Sequence, residues 1–491
     1  MTHDAAALAG RLSRMVQVPT VTPPALDALS PETASAFTAF QHLLRELYPS
    51  LFETAEVTGV GRAGLLLRLT GAGVVPGSTA RPLLLMAHQD VVPAPAEDWE
   101  SAGWTRPPFA GAVADGEEGL TVYGRGALDD KGALLVMLEA VEDLLVEGWR
   151  PEADVHLLLG GDEESYGASA VDAAAELERR DLGPVLVVDE GGAVVTGIVP
   201  GLTRRVAVVG VAEKGLTTLE VAVSADPGRP AHASTPPRRS AAGGLARAIV
   251  ALEKHPHPAH LDGVALRMFT GLAPHVPGLL GRALARADRL QPFLGRILPL
   301  AGPELAAMVR TTTAVTMLEG SPAHNVLAAT ARAVVNMRVE TSSSVAEATA
   351  HVERVVRRAV GRGLTVDVRV LEGSEPTPPS PMDDRWDAVR SAIAAAYPDA
   401  VVVPYTMLAA SDSRHVACVA PAIYRFAPLY MSTAQRASLH GVDECVSAAS
   451  LVRGVRFYRA LLSGTREPGG TSLSPRETLE EVLTDPPRVT E

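Results

Sequence analysis

The chain has 491 residues, of which 47% are hydrophobic and 21% are charged, so it carries enough apolar material for at least two packed cores. Its 44 lysines and arginines are outnumbered by 57 aspartates and glutamates, which gives a net charge of -13. A protein that coats nucleic-acid phosphates needs a basic excess or a basic stripe, and this sequence shows neither. The composition therefore predicts a folded protein of two or three domains that does not bind nucleic acid.

Cysteine usage and apolar runs narrow the class further. Cys418 and Cys445 are too few for a disulfide framework or a structural zinc knuckle, so a metal site would use histidine and carboxylate ligands. No run of about 18 apolar residues occurs, which predicts no membrane span. The N-terminal segment carries Asp4 and lacks a basic region ahead of an apolar core, so it does not read as a secretory signal. We expect a cytoplasmic protein.

Short apolar runs alternate with helical stretches over the first 200 residues, which is the pattern of an α/β sheet domain. A helix is predicted over 131–148, where apolar residues recur at helical spacing. Three runs predict strands that each end in ligand-type side chains: 82–88, 154–160 and 184–190. Because ligands bind outside the carboxyl ends of strands in open α/β sheets, the sequence places a site at these three ends.

A different pattern begins near residue 213. Strands are predicted at 218–225, 311–319, 329–340 and 364–372, with one helix near 240–254 and another that begins at the capping box Ser344-x-x-Glu347. The resulting order, β-α-β-β-α-β, is the ferredoxin-like arrangement. In the third of these strands, alternation puts four polar side chains on one face: Thr330, Arg332, Asn336 and Arg338.

The predicted organisation is a sheet domain that is split around an inserted α+β domain. The first part of the sheet domain covers 1–212, and the inserted domain covers 213–372 with a helical insertion over 255–310. The sheet domain resumes over 373–464, with a helix near 383–397, a strand at 401–404 and a last helix near 446–464. The tail 465–491 is rich in Gly, Pro, Ser and charge, and is predicted to be disordered.

Histidines and acids cluster in a few short blocks. They are His88 with Asp90, the loop GRGALDDKG (124–132), the pair Glu163-Glu164, the pair Asp189-Glu190, and His440. Each block alone has an ordinary explanation as a strand end, a helix start or an acidic turn. Zinc, however, takes imidazole nitrogen and carboxylate oxygen, and a two-metal site needs a carboxylate that bridges ions about 3.5–4 Å apart. The set as a whole contains every ligand type that such a site needs.

Five segments, in this order, resemble the metal-binding blocks of a zinc-dependent metallopeptidase family: PLLLMAHQDVVP, YGRGALDDKG, GGDEESYG, VVDEGG and LHGVDE. That family contains carboxypeptidase S, aminoacylase, carboxypeptidase G and succinyl-diaminopimelate desuccinylase. The DEGG and EKG (213–215) blocks are most similar to the carboxypeptidase S branch. The resemblance covers 1–464 and implies a mixed-sheet zinc-peptidase catalytic domain with an inserted ferredoxin-like α+β lid domain.

The resemblance also implies a metal centre of two Zn²⁺ ions, with Co²⁺ or Mn²⁺ as alternatives. The implied ligands are His88, Asp129 as the bridge, Glu164, His440 and one acid of the pair Asp189-Glu190. Neighbouring strand residues point to opposite faces, so only one acid of that pair should face the metals. Glu190 is slightly favoured, and Asp189 stays open. Asp130, next to the bridge, is interpreted as a supporting or structural residue.

Catalytic roles follow from the same resemblance. Glu163 is implied as the general base, and Asp90 as the carboxylate that orients His88 by hydrogen bonding its other ring nitrogen. The loop SDSRH (411–415) resembles the family's aspartate-containing loop beside the site.

The lid supplies a second set of implied residues. His232 corresponds to the lid histidine that stabilises the oxyanion, whereas Asn325 and Arg338 match substrate-binding positions, Arg338 as the fork for a terminal carboxylate. The family's NVIP block reads NVLA here, which weakens the match around Asn325.

The implied reaction is hydrolysis of an amide bond next to a free carboxylate, by a carboxypeptidase, a dipeptidase or an N-acyl amino acid hydrolase. One alternative is a deacylase specific for an N-acetylated or N-succinylated metabolite, and a more distant one is a non-catalytic binding protein on the same fold. The implied partner is therefore a small peptide or N-acyl amino acid, with no nucleic acid and no membrane. A homodimer through the lid is one assembly that the resemblance allows.

Overall fold

The computed structural model describes the chain with short gaps, over residues 4–23, 29–73, 80–165, 167–199, 201–225, 232–300 and 302–464. The predicted disordered tail lies outside the described residues. Within the described part, no helix combines the length and the apolar character needed to cross a bilayer.

Strands are found in both predicted domains. In chain order they are β1 (Glu56–Val60), β2 (Gly64–Leu69), β3 (Leu83–His88), β4 (Ala112–Gly116), β5 (Gly119–Tyr123), β6 (Val155–Gly160), β7 (Leu186–Asp189), β8 (Val194–Val195), β9 (Val206–Glu213), β10 (Gly215–Ser224), β11 (Thr312–Glu319), β12 (Thr330–Val339), β13 (Thr365–Ser374), β14 (Val401–Met407), β15 (Ile423–Arg425), β16 (Tyr430–Met431) and β17 (Cys445–Ser447).

Helices flank these strands. They are α1 (Ala5–Val16), α2 (Pro31–Leu47), α3 (Pro49–Thr54), α4 (Lys131–Val146), α5 (Ala168–Arg179), α6 (Ala241–Lys254), α7 (Gly263–Leu272), α8 (Gly278–Leu284), α9 (Ala287–Ile297), α10 (Pro303–Met308), α11 (Val345–Val360), α12 (Asp384–Ala396), α13 (Ser413–Val416), α14 (Thr433–Ser438) and α15 (Ala448–Ser463), with 3-10 turns at Glu163–Ser165, Ala273–His275 and Leu298–Leu300.

The large sheet is mixed, as predicted. Its order is β1-β2-β6-β3-β7-β15-β9-β8-β16, with β14 paired to β9. The three predicted site strands, β6, β3 and β7, are parallel neighbours at its centre, which confirms the expectation that their carboxyl ends meet. A separate three-stranded sheet has the order β17-β5-β4. The loop that contains His440 leads into its strand β17.

Helix α4 shows why the sheet can hold this arrangement. Almost every residue of KGALLVMLEAVEDLLV is buried, because α4 packs between the sheet and α15. The close approach depends on Gly454 of α15, where a Cβ would lie 2.9 Å from Val136. Gly148, with φ of 86°, follows the end of α4 and turns the chain toward β6.

The inserted domain has the predicted β-α-β-β-α-β order. Its antiparallel sheet runs β11-β12-β10-β13, and α6 and α11 cover one face. Strand β12 alternates strictly between half-buried and buried residues, so Arg332, Asn336 and Arg338 share the face away from the helices. The capping box at Ser344 begins α11 as expected.

The helical insertion packs mainly on the large domain. Buried side chains of α7, including Met268, Phe269 and Leu272, belong to the core of the large sheet and cover strand β14. Lys214, at the junction of β9 and β10, donates hydrogen bonds to the carbonyl oxygens of Ala307 and Arg310, which ties the end of the insertion to that junction.

His156 predicts how stability depends on pH. Burial lowers its pKa to about 4, and neither ring nitrogen has a hydrogen-bond partner among the described residues. The unfolded chain, with an ordinary value of about 6.5, binds the proton first, so stability falls as pH drops from about 6.5 to 4, by roughly 3 kcal/mol in total. His156→Leu should flatten this part of the pH dependence of the urea midpoint. Substituting the exposed His42 with Gln should leave it as steep as in the parent chain; an equally steep profile in His156→Leu would contradict the assignment.

Candidate metal centre

The carboxyl ends of three adjacent parallel strands bring the predicted residues together. His88 ends β3, the turn Glu163–Ser165 follows β6, and Glu190 follows β7. Asp129 comes from the loop ahead of α4, and His440 from the loop ahead of β17. Two triplets, His88-Asp129-Glu164 and His88-Glu163-Glu190, each place their donor atoms within 4.8 Å of one another.

Asp129 lies between the two histidines. Its Oδ1 is 3.1 Å from His88 Nε2, and its Oδ2 is 3.1 Å from His440 Nε2. Glu164 Oε1 is 3.2 Å from the same nitrogen of His440, whereas Glu190 Oε1 is 3.9 Å from His88 Nε2. The cluster thus has two halves that share one carboxylate, which is the arrangement a bridging ligand requires.

Asp189, the last residue of β7, and Glu190, which follows it, point in different directions. Glu190 faces the cluster, next to His88. Asp189 is buried on the other side, where its Oδ2 accepts a hydrogen bond of 2.9 Å from the backbone N–H of Ser413. Of these two acids, the geometry favours Glu190 as the metal ligand. Asp189 instead stabilises the 411–415 loop through its hydrogen bond with Ser413.

Asp90 supports two parts of the cluster at once. Its backbone carbonyl oxygen lies 2.9 Å from His88 Nδ1, and its Oδ1 lies 3.3 Å from the same nitrogen. Its carboxylate also accepts the backbone N–H groups of Glu163 at 3.2 Å and Glu164 at 3.1 Å. Asp90 therefore contacts both the imidazole of His88 and the turn that carries both glutamates.

The neighbouring Asp130 turns away from the cluster. It is fully buried, and its Oδ2 accepts the backbone N–H of His88 at 3.2 Å. The structure thus places Asp129, and not Asp130, between the histidines, and Asp130 supports the backbone of the histidine strand.

The electrostatics of the cluster favour bound cations. Burial, aided by the Asp129 carboxylate, raises the pKa of Glu190 well above its usual range, and burial with Asp412 and Glu164 does the same for Glu163. Hydrogen bonds to Asp129 and Glu164 raise the pKa of His440 to about 10. These shifts reflect an excess of buried negative charge, and imidazole with carboxylate is the donor set that Zn²⁺ accepts. The residues present therefore fit a divalent metal centre.

Glu444 is a residue of this site that the sequence did not single out. It is fully buried, and its Oε1 accepts the backbone N–H groups of Leu128 at 2.8 Å and Asp129 at 2.9 Å. Its Oε2 pairs with Arg125 at 2.6 Å and accepts the N–H of Gly126. Glu444 thus holds the loop that presents Asp129, and it stands four residues after His440. Glu444 is the last residue of the LHGVDE segment, and nothing in that segment indicates that its side chain is buried.

The loop SDSRH lies beneath the cluster. Asp412 is buried next to Gly160, where a Cβ would lie 3.0 Å from Asp412 Oδ2 and 3.3 Å from His88 Cβ. Burial and the nearby Asp189 raise the pKa of Asp412 well above its usual range. Gly160 at the end of β6 is therefore needed for the loop and His88 to approach each other.

The lid residues form a separate group. His232 and Asn325 are exposed and lie in adjacent loops, joined by a bridge between His232 and Val326 and by a hydrogen bond of 3.2 Å from Ala233 N–H to the Asn325 carbonyl. Among the described residues, no hydrogen bond or ion pair links either of them to the metal-binding cluster. Arg338 is half-buried on β12, and its Nη1 has no hydrogen-bond partner in the described part of the chain.

A mixed α/β sheet with a two-lobed carboxylate–histidine cluster at its carboxyl edge fits the class of α/β proteins with a divalent-metal centre. The model of Peptidase family M20/M25/M40 matches residues 84–464, so the chain belongs to that family, as the motifs predicted. The family makes the protein an enzyme of the metallopeptidase and amidohydrolase class.

Related proteins with described activities match about nine tenths of the chain. N-fatty-acyl-amino acid synthase/hydrolase PM20D1.1 of Danio rerio is 34% identical over 457 residues, covering 92% of this chain and 84% of that protein. Probable carboxypeptidase S-like 2 of Dictyostelium discoideum is 31% identical, with 90% and 81% covered. The M20 family metallo-carboxypeptidase Sso-CP2 of Sulfolobus solfataricus has a similar fold, with a TM-score of 0.61 at 16% identity, covering 93% and 98%.

The Glu444 contacts predict a local effect of its replacement. Glu444→Gln removes the charge paired with buried Arg125, so we expect a loss of about 3 kcal/mol in the free energy of unfolding. Backbone amide exchange should accelerate at Gly126, Leu128 and Asp129, because their acceptor is weakened. Asp443→Asn is the matched control, since Asp443 instead accepts the N–H of Thr105. Unchanged exchange in the Glu444 variant would exclude this role.

Proposed function

We propose that the protein is a dinuclear zinc hydrolase that cleaves the amide bond of N-acyl amino acids, with long acyl chains as the preferred class. The observation that carries the metal centre is the Asp129 carboxylate, which faces His88 with one oxygen and His440 with the other. His88, Asp129 and Glu190 would hold one ion. Asp129, Glu164 and His440 would hold the second.

The ions, when bound, supply a lowered water pKa and a polarised scissile carbonyl. Glu163 is the general base in this proposal: its carboxylate takes the proton of the attacking water and returns it to the leaving amine. Its position suits this role, because Glu163 stands in the turn Glu163–Ser165 and its donor oxygen lies within 4.8 Å of those of His88 and Glu190. The Asp90 carboxylate, through the N–H of Glu163, keeps this turn in place.

Substrate recognition is assigned to the lid. The half-buried Arg338 guanidinium has an unpartnered Nη1 and would form the fork that binds the substrate carboxylate. His232 would stabilise the oxyanion, and Asn325 beside it would contact substrate. Because both are exposed and separate from the metal cluster, we propose that the lid of a partner subunit presents them in a homodimer.

Two observations select among the substrate classes. The Danio rerio relative, which matches 92% of this chain, is described as acting on N-fatty-acyl-amino acids. The Dictyostelium discoideum relative, described as a probable carboxypeptidase S-like protein, makes peptide C-termini the second candidate. Both classes share an amide bond next to a free carboxylate, and they differ only in what occupies the acyl side.

A substrate panel with metal analysis on the same sample tests the proposal. Purified protein would be assayed on long-chain N-acyl, N-acetyl and N-succinyl amino acids and on dipeptides, with zinc, cobalt and manganese measured per chain. The proposal expects two zinc ions per chain and the highest kcat/KM on the long-chain compounds. Dipeptides as best substrates would favour the carboxypeptidase, and N-acetyl or N-succinyl compounds the specific deacylase. Less than one metal per chain together with no turnover would favour a binding protein.

Replacing the general base should separate chemistry from metal binding. Glu163→Gln should lower kcat by about 10³-fold or more, because no other group can take the proton, while the metal content stays that of the parent protein. Glu164→Gln, one residue further, should instead lower the metal content. Turnover retained in Glu163→Gln would refute the base assignment.

Arg338 should act on binding more than on chemistry. Arg338→Met should raise KM by about 10- to 100-fold with a smaller change in kcat, because it removes a charge-assisted hydrogen bond worth about 1.5–3 kcal/mol. Arg332→Met is the matched control, since Arg332 lies on the same face of β12 but is paired with Glu220 at 3.3 Å. Equal KM values for the two variants would count against Arg338 as the carboxylate fork.

A further inference from the structure

The helical insertion exposes large apolar side chains between residues 278 and 300. Leu279 and Leu280 of α8 are 79% and 42% exposed, and Phe293 and Ile297 of α9 are 59% and 41% exposed. Leu300, which follows α9, is 85% exposed. We call Phe293, Ile297 and Leu300 the apolar stripe. Exposed apolar groups concentrated in one short segment mark an interaction surface.

The stripe has a defined direction because α9 is anchored on its other side. Phe293 and Ile297 are four residues apart on α9 and so lie on one helical face, and Leu300 follows in the 3-10 turn Leu298–Leu300. The opposite face is buried through Leu294 and Gly295, and a Cβ at Gly295 would lie 3.0 Å from the Ala259 carbonyl oxygen. The stripe therefore faces outward on a helix that is fixed to the body of the protein.

Arginines flank the stripe. Arg282, Arg286, Arg289 and Arg296 are all exposed, and within the described residues none of them forms an ion pair with an acid. From 263 to 308 the chain carries five arginines against two acids, Asp288 and Glu304, a net charge of +3. Since the whole chain has a net charge of -13, the remainder carries -16. The arginines thus make a local basic site on an otherwise acidic protein.

This combination selects one kind of occupant. A helix that combines an exposed apolar face with arginines lies in the interface of a lipid bilayer, where the apolar side chains enter the acyl region and the cations meet anionic headgroups. A second copy of the chain, docked symmetrically on the same face, would bring its own arginines against these. We propose that α8, α9 and Leu300 form a docking surface for an anionic phospholipid bilayer.

Docking on a bilayer would also bring the enzyme to long-chain substrates. This consequence, unlike the surface itself, rests on the proposed function. An N-acyl amino acid with a long chain partitions into bilayers, because each CH₂ that leaves water for the acyl region makes the transfer more favourable. An enzyme held at the bilayer surface meets such a substrate at a higher local concentration than one in bulk water. The surface itself is inferred from the exposed side chains and charges and does not depend on which amide is cleaved.

Vesicle co-sedimentation of the full chain tests the surface. The protein should bind phosphatidylcholine vesicles that contain about one third phosphatidylglycerol, and it should bind pure phosphatidylcholine vesicles at least about tenfold more weakly. It should dissociate from the mixed vesicles as the salt concentration is raised. Phe293→Ser with Ile297→Ser should lower the affinity at least about tenfold, and Arg289→Gln with Arg296→Gln should remove the preference for phosphatidylglycerol. The control, Val146→Ser with Val171→Ser, changes apolar residues that are 66% and 47% exposed elsewhere and should bind like the parent.

Three outcomes would overturn the proposal. The first is that the protein does not bind phosphatidylglycerol vesicles, and the second is that the stripe variant binds them as well as the parent does. The third is that light scattering shows a smaller oligomer for the stripe variant, which would make a second copy of the chain the occupant. Hydrolysis of a short, water-soluble N-acyl amino acid serves as the folding control, and it should be equal in all variants. Vesicle binding without any hydrolase activity would refute the proposed function and leave the surface standing.

Discussion

The site rests on one constraint, the convergence of partly buried carboxylates that outnumber the cationic side chains among the described residues around them. Asp129, Glu163, Glu164 and Glu190 meet at the carboxyl edge of the sheet, where the imidazoles of His88 and His440 contact them in the described part of the chain. Such an arrangement is costly unless positive charge is supplied, which is why the pKa values of Glu163 and Glu190 rise. The fold must hold these groups together against their mutual repulsion, and the surrounding structure can be understood as the means of doing so.

Backbone amides, more than side-chain cations, provide that restraint. Asp90 accepts the N–H groups of Glu163 and Glu164, and Glu444 accepts those of Leu128 and Asp129. In both cases a buried carboxylate outside the ligand set fixes the main chain of a loop that carries a ligand. The side chains proposed as ligands can then present their oxygens to the cluster, while the supporting acids hold the main chain.

The sequence predicts the parts of this arrangement that follow from periodicity and residue type. Strands β3, β6 and β7 and helix α4 are predictable as apolar runs, because they are buried along almost their whole length, and β12 is predictable from the alternation that one-sided burial imposes. The alternation rule left Asp189 or Glu190 open, since it does not say which face of a strand end meets the site, and the Ser413 contact with Asp189 was needed. Glu444 could not be found, because its partners, the Arg125 side chain and three backbone amides, lie more than 300 residues away in the sequence.

The connection between the two domains links the lid to the floor of the site. Both chain crossings run side by side, with Thr377 N–H bonded to the Glu213 carbonyl at 3.0 Å. The Glu213 carboxylate pairs with fully buried Arg425 at 2.8 Å and accepts a hydrogen bond from Ser411. Ser411 is the first residue of the 411–415 loop, which Asp189 fixes next to the cluster through Ser413. Because a buried ion pair resists any shift that would separate its members, the junction with the four-stranded sheet is held in place by the same 411–415 loop that approaches the metal-binding cluster.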